Sequence, residues 1–582
     1  MAIEIVGDET GPRATRRKKG VIRSRLLVDF PEWTKTWDCE ACGLRIPADM
    51  TLKLPSGHEY VCGRCFMLKG VNPGNVEDRA TRPSSGVLDG TKRTLYDYQR
   101  DGVRFLASRR IALIQDATGV GKTPQLLRAI PEGFGLCLVA TKSLTRNWQK
   151  EVREWRPELL TLDLDRDKWT PGGPNFATYR TYDWIRGLTR IVKPKGPIVL
   201  VLDEAQKAKN PDKKTCQAIR VLRDVVLETG GYVWLSTATP WENNPMELWS
   251  VWQNALLGFA AFPQTGWAEF DAMFEDWYNL KERDERAPPS GSKLKQLFDR
   301  IGHVGPDPGP TAIRIRRLQD VIPDLPEKRY QQVEVEITKE DASQLTLATK
   351  KLVAHAKAWE AVRSGLIKNP EEKSLNEDQR AKRYEHLEAH AEHIFSELKE
   401  PSPAEARKAI DLALKWKKLS PGQRVLMEVR KALATAKIPG LLELVERYEE
   451  HGEPVVVFSA HRAPVDILGS RRRWATIQGK TSDAARQKAI DRFQAGDLLG
   501  IALTIDSGGV GITLHRARYA IRVDREWTPG VNKQSENRIY RFGQLQDVTI
   551  IDLFADHALD ERVEEVNLEK VGLIAAVDGE VG

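Results

Sequence analysis

The sequence predicts an α/β protein with two doubly wound parallel sheets, a helical insertion between them and a small cysteine-bearing module in front. Three observations carry that expectation. Short apolar runs, "VLVLDEA", "YVWLSTATP", "PVVVFSA" and "LLGIALTIDSGGVG", recur in two blocks and end in polar or Gly-rich turns, the pattern of strands buried on both faces. Residues 339–450, between the blocks, place apolar side chains at three- and four-residue spacing with charges opposite, the period of amphipathic helices. Four cysteines fall between residues 37 and 66 as two Cys-x-x-Cys pairs.

At 582 residues the chain is long enough for three or four domains of ~100–200 residues each. Its composition, 41% hydrophobic and 29% charged, is that of a globular protein, and no apolar run approaches the ~18 residues a membrane span needs. No membrane partner is therefore expected. The N-terminus has neither a basic n-region nor an apolar h-region, so a reducing, intracellular location is expected: cytoplasm or nucleoid, a nucleus, or a bacterial host for a phage-encoded chain. A net charge of +7, from 89 basic and 82 acidic residues, permits a polyanionic partner without requiring one.

Residues 1–30, with Arg16–Lys19, Arg23 and Arg25, show no periodicity and are expected to form a flexible basic arm, either a solvated tail or a nucleic-acid contact. Residues 31–80 form the cysteine module. Cys39 and Cys42 are separated from Cys62 and Cys65 by 19 residues, the spacing of a four-thiolate zinc site built from two knuckles. A reducing compartment disfavours disulfides, and four thiolates complete the tetrahedron without His58. Such a module would contact DNA or protein, or only brace the N-terminus. Cys137 and Cys216 read as core residues.

Residues 85–322 are expected as the first lobe, with a helical and loop-rich extension at about 250–310. The strand-like "RIALIQ" leads into Asp116-Ala-Thr-Gly-Val-Gly-Lys-Thr123 and then a helix, the arrangement in which loop N–H groups and a helix N-terminus wrap nucleotide phosphates. The loop offers Asp116, Thr118, Gly119, Val120 and Gly121; Lys122 would neutralise phosphate charge and Thr123 would ligate Mg²⁺. The apolar strand "IVLVL" ends in Asp203, expected to organise the same Mg²⁺, and Glu204, expected to orient or deprotonate the attacking water. Residues 323–453 are expected as linker and helical insertion, and 454–575 as the second lobe. Near its end Arg538 and Arg541, three residues apart, would share one helical face as arginine fingers. His386, His390 and His393 lie close together, but Glu388 falls between the first two, so a solvated helix face is expected there and no metalloprotease site.

The ordered set "LYDYQRDGVRFL", "DATGVGKT", "LVATKSLTRNW", "VLDEAQKAKN", "LSTATPWENN", "VVVFSAHR", "TIDSGGVGITL" and "DREWTPGVNKQSENRIYRFGQ" resembles the superfamily-two helicases, specifically Swi/Snf-type double-stranded DNA translocases, over about residues 90–570. That family's phosphate loop begins with an acidic residue, which accounts for Asp116. The segments "TAKIPGLLELVERYEEHGEPVVVFSAHR" and "RQKAIDRFQAGD" are most similar to the HARP-like annealing-helicase branch, which rewinds DNA and remodels forks. The resemblance implies two RecA-like lobes, ATP and Mg²⁺ as cofactors beside structural Zn²⁺, a monomer, and sequence-non-specific duplex or branched DNA as partner together with replication or repair proteins. It implies adenine recognition by Gln99, a loop linking nucleotide to DNA track at Gly509 and Gly511, a motif-opening role for Gln534, and phosphate contacts from Thr141, Lys142, Ser236 and Ser507. Gln206 and Ala238 depart from the family, where histidine and glycine are common; Gln206 is expected to reach the "STATP" loop in another way. The implied activity is an ATP-driven translocase that remodels or anneals DNA in repair or replication. A strand-separating DNA or RNA helicase and a catalytically silent nucleic-acid scaffold are the alternatives.

Overall fold

The structure, a computed structural model, describes residues 4–6, 35–55, 59–84, 92–161, 171–188, 190–240, 245–274, 311–314, 325–365, 377–414, 421–505, 512–541 and 543–577. Ser507, Gly509 and Gly511 lie outside the described residues, as do most of the basic arm and the stretch 275–310. Two compact units divide at Asp324 and Leu325, the second running to Leu568.

The first unit opens with β1 (Glu4–Val6). The cysteine module follows as two antiparallel ribbons, β2 (Thr36–Asp38) with β3 (Arg45–Pro47) and β4 (Leu52–Lys53) with β5 (Tyr60–Val61), then α1 (Gly63–Leu68) and α2 (Val76–Thr81). Next come α3 (Asp97–Ala107), β6 (Ile111–Ile114), α4 (Lys122–Ala129), β7 (Gly135–Ala140), α5 (Lys142–Trp155), β8 (Leu160–Thr161), β9 (Phe176–Thr181), α6 (Tyr182–Arg186), β10 (Arg190–Val192), β11 (Ile198–Asp203), α7 (Lys214–Glu228) and β12 (Tyr232–Ser236). The unit continues with α8 (Pro245–Gln253), α9 (Leu257–Ala261), α10 (Trp267–Met273) and β13 (Ile313–Arg314).

Seven parallel strands form its sheet in the order β13-β6-β12-β11-β7-β9-β8. All residues of β6, β7, β11 and β12 are buried, which is why these strands read as unbroken apolar runs. Chain order reverses beside β11, and in such sheets ligands bind beyond the carboxyl ends of strands. Within the stretch expected as a flexible arm, Glu4–Val6 pairs in parallel with Arg190–Val192.

The cysteine module belongs to this unit's core. Ile46, Leu52, Val61, Phe66 and Met67 are fully buried in the cluster that also holds Ile111, Leu113, Ala260 and Phe262. Gly63 lies so close to α9 that a Cβ there would come within 2.3 Å of the Phe259 carbonyl. Arg110, the residue before β6, donates through its guanidinium to Lys69 O at 3.0 Å and through its N–H to Met67 O at 2.8 Å, and lies 5.3 Å from the Phe66 ring.

The second unit holds β14 (Lys328–Glu334), α11 (Lys339–Gly365), α12 (Glu377–Glu397), α13 (Pro403–Leu414), α14 (Pro421–Ala436), α15 (Ile438–Glu450), β15 (Val455–Ser459), α16 (Arg462–Gly469), β16 (Trp474–Ile477), α17 (Asp483–Ala495), β17 (Gly500–Thr504), β18 (Tyr519–Arg522), α18 (Pro529–Glu536), β19 (Val548–Phe554) and α19 (Ala558–Val577). Its six parallel strands run β14-β19-β18-β15-β17-β16. The helices α11, α13 and α14 share one hydrophobic cluster with β15 and β19, through Leu352, Ile410, Val429, Val457 and Ile551. Within the stretch expected as linker, Lys328–Glu334 forms the sheet's edge strand, paired with Val548–Phe554 over seven residues. Among the described residues no helix is long and apolar enough to cross a membrane.

Candidate functional site

The phosphate loop of the first unit turns on two glycines in left-handed conformation, Gly119 at φ 87° and Gly121 at φ 75°, the latter capping α4. A Cβ at Gly121 would meet Gln99 Nε2 at 2.3 Å. Gln99 braces this turn. Its Nε2 donates to Val120 O at 3.0 Å and its Oε1 accepts from Tyr96 N–H at 3.1 Å, so one donor and one acceptor position of the amide remain for a base edge. Asp116 and Val120 are buried, whereas Thr118, Gly119, Gly121 and Thr123 are half-buried. Lys122 Nζ donates to Asp116 O at 2.8 Å and Ala117 O at 3.0 Å, folding the ammonium back under its own loop.

Asp203 ends β11 and Glu204 follows it in left-handed conformation, φ 55° and ψ 50°. A non-glycine residue there carries strain of ~1–3 kcal/mol, which the contacts around it must hold. Asp203 Oδ2 accepts the indole N–H of Trp148 at 2.7 Å and Oδ1 accepts Glu204 N–H at 3.1 Å. The Tyr182 hydroxyl donates to the Asp203 carbonyl at 2.8 Å. Gln206 Nε2 donates to Glu204 Oε2 at 2.5 Å, Thr237 Oγ1 donates to Gln206 Oε1 at 2.7 Å, and Thr239 N–H donates to Thr237 Oγ1 at 3.0 Å. Gln206 thus links the Glu204 carboxylate to the "STATP" loop through both ends of its amide.

Electrostatics tie the pieces together. Burial and the neighbouring Glu204 charge raise the Asp203 carboxyl above its ordinary value, opposed by the Trp148 hydrogen bond and by Lys122. Burial also lowers Lys122 below the ordinary amine value, opposed by Asp116, Glu204 and Asp203. Burial pushes both groups towards neutrality, and the charge of each only partly offsets this for the other.

Thr141 and Lys142 stand at the N-terminal end of α5, Thr141 half-buried and Lys142 exposed. Ser236, expected beside them on a phosphate track, is 1% exposed; it pairs with Asp203 across the β11–β12 ladder, and a hydrogen bond from its side chain helps to hold the Asp203 carboxyl down.

In the second unit Arg538 and Arg541 do not share a helical face as expected. The helix α18 ends at Glu536, and both arginines lie in the turn beyond it. The helix end meets a cluster of buried charge. Glu536 is drawn inward by Arg522 Nη1 at 2.7 Å, Lys328 Nζ at 3.0 Å and the Tyr330 hydroxyl at 2.7 Å, while Arg522 holds Asp552 in a two-pronged pair at 2.6 and 2.7 Å. The turn itself is pinned by Leu514 N–H to Arg538 O at 2.8 Å and by Arg541 Nη1 to Ile512 O at 3.2 Å. Burial lowers the Arg541 guanidinium from its ordinary value. Gln534 is half-buried on α18.

The four cysteines come together as expected. Their sulfurs lie within 4.8 Å of one another, and Cys42 and Cys62 Sγ are 3.9 Å apart. A tetrahedron with Zn–S bonds of ~2.3 Å has edges of roughly 3.8 Å. The N–H groups of Cys62 and Cys65 donate to the sulfurs of Cys39 and Cys62 at 3.3 and 3.4 Å. Burial opposes ionisation, but backbone donors from Cys62, Ala41 and Cys42 bring the Cys39 thiol down to about 7; Cys62 is raised to about 11 and Cys65 higher still, mainly by burial. His390 and His393 lie on α12 outside the cysteine cluster, the one metal-type grouping among the described residues; the His386 side chain is not described.

Trp148, Tyr182 and the Arg522–Asp552–Glu536 cluster were not singled out from sequence. The polar atoms of Trp148 and Tyr182 have value only through partners 55 and 21 residues away.

Residues 98–384 match the SNF2-related domain and residues 436–543 the helicase conserved C-terminal domain. The chain is 25% identical over 521 residues to the ISWI chromatin-remodeling complex ATPase ISW1 of Saccharomyces cerevisiae, covering 84% of this chain and 41% of that protein. It is 25% identical over 509 residues to the SWI/SNF-related matrix-associated actin-dependent regulator of chromatin subfamily A-like protein 1 of Bos taurus, covering 84% and 45%. To the ATP-dependent helicase/translocase YwqA of Bacillus subtilis it is 24% identical over 513 residues, covering 83% and 48%. The chain spans less than half the length of each of these relatives. With both modules present in this order, each over its own parallel sheet, the chain belongs to the Swi2/Snf2 family of superfamily-two ATPases.

Proposed function

We propose that the protein is a DNA-dependent ATP hydrolase that moves on duplex or branched DNA. One observation carries the reading: the unbroken chain from Glu204 through Gln206 and Thr237 to Thr239, beside the enclosed Lys122 and Asp203. A scaffold without turnover has no use for a strained acid wired to a neighbouring loop.

In this reading the loop N–H groups of Thr118–Gly121 and the ammonium of Lys122 bind the phosphates, and Gln99 turns its free amide positions to the adenine edge. Thr123 and Asp203 would hold Mg²⁺, which supplies charge neutralisation at the phosphates. Glu204 accepts a proton from the attacking water at its carboxylate, and Gln206 holds that carboxylate in place. Arg538 and Arg541 supply positive charge to the transferring phosphoryl group. Thr141 and Lys142, with the helix N-terminus of α5, contact DNA phosphates, giving sequence-independent and salt-sensitive binding. Cys39, Cys42, Cys62 and Cys65 hold a structural zinc. Remodelling or annealing as the output rests on the sequence segments quoted above.

The test is ATP turnover with duplex, single-stranded and forked DNA and with RNA, paired with annealing and unwinding readouts. Stimulation by duplex or forked DNA with annealing is expected. Turnover indifferent to every nucleic acid overturns the motor reading, and net strand separation replaces it with the helicase alternative.

A further inference from the structure

We propose that Trp148 is a positioning residue that ties the start of α5 to the Asp203 carboxylate, so that occupation of the phosphate track is felt as a change in divalent-metal binding. The inference rests on the function proposed above and adds a relay to it.

Trp148 is fully buried, and a buried indole N–H must find an acceptor. The one it takes is Asp203 Oδ2, at 2.7 Å, the short separation of a hydrogen bond to a charged oxygen. Glu204 N–H takes Oδ1, so both oxygens are oriented and the plane of the carboxylate is set. The Tyr182 hydroxyl fixes the carbonyl of the same residue. Trp148 lies on α5 beyond Lys142 and the capping Thr141, roughly 9 Å along the axis at 1.5 Å per residue. A continuous helix transmits a shift of its first turn to that indole.

The two carboxylates are therefore held from different directions. Glu204 is held by Gln206, itself tied to Thr237 in the loop after β12, whereas Asp203 is held by Trp148 from α5 and by Ser236 at the end of β12. Divalent-metal binding should follow Trp148, and the proton-accepting step should follow Gln206.

The experiment uses the full chain with ADP and Mn²⁺ as the probe, read by electron paramagnetic resonance, with duplex binding followed by fluorescence anisotropy. Trp148→Phe keeps an aromatic ring and removes the donor. The expected result is ~10-fold weaker Mn²⁺ binding with metal-free ADP affinity unchanged. In the wild-type protein saturating duplex should tighten Mn²⁺ binding several-fold, because coupling between two sites is reciprocal. A folded Trp148→Phe protein with wild-type Mn²⁺ affinity overturns the proposal. So does a wild-type protein that binds duplex with no change in Mn²⁺ affinity, a result that needs no variant to fold. Absence of duplex binding overturns the motor reading itself, and with it the relay.

Discussion

The two lobes handle buried charge in opposite ways. In the first unit Lys122 and Asp203 are enclosed and pushed towards neutrality by burial, which the charge of each only partly offsets for the other. In the second, Arg522, Asp552, Glu536 and Lys328 saturate one another, and the acids are held below their ordinary values despite burial, with Arg522 the partner of both and Lys328 the larger influence on Glu536. One sheet keeps its charges for a ligand. The other spends them on shaping the turn that carries Arg538 and Arg541.

Glu204→Gln should lower ATP turnover by ~10²–10⁴-fold with nucleotide binding retained, and should leave the melting temperature unchanged or raised, because it removes a like charge beside Asp203. Steady-state turnover and calorimetry read both sides; a loss of stability here would break the contrast. Asp552→Asn should do the reverse, costing about 3–5 kcal/mol by leaving Arg522 and Arg525 short of a buried partner. Denaturant unfolding measures it, and an unchanged midpoint would show that the cluster is not structural.

Zinc removal ranks next. Because the cysteine module shares its core with β6, chelation or Cys62→Ser should lower the melting temperature of the first unit as well as unfold the knuckles, by roughly 6–12 °C for a loss of ~3 kcal/mol. The pH sign follows from the thiols. Zinc needs thiolates, and Cys62 at about 11 and the still higher Cys65 hold their protons, so zinc affinity should fall as pH falls. Zinc-indicator titrations at two pH values check it. Gln206→Ala should have the smallest effect, a ~5-fold drop in DNA-stimulated turnover from one lost hydrogen bond at each end of the amide. An unaltered stimulation ratio would show that the loop after β12 signals by another route.

What the sequence disclosed follows the same physics. A strand buried on both faces must be apolar throughout, so Ile198–Leu202 announced itself and made the two acids at its end conspicuous. The left-handed glycines at 119 and 121 and the paired cysteine spacing are local requirements, visible in a short window. What stayed hidden was non-local. Arg538 and Arg541 fit a helical spacing, but the helix ends at Glu536, whose carboxylate is paired with Lys328 on a strand more than 200 residues earlier. Ser236 is expected among the hydroxyls that grip phosphate, and only ladder register shows it opposite Asp203. Lys328–Glu334 lacks apolar alternation because an edge strand with both faces largely wet does not need it.

That edge strand has a consequence for synthesis. Glu327 N–H meets Asp547 Oδ1 across 220 residues, at the mouth of the β14–β19 ladder. At ~5–20 residues per second, a ribosome leaves Lys328–Glu334 waiting roughly 10–40 s for its mate. A strand stranded that long would recruit neighbouring nascent chains if it were greasy. Written as Lys-Arg-Tyr-Gln-Gln-Val-Glu, it can idle in water until the last strand arrives to zip the lobe shut.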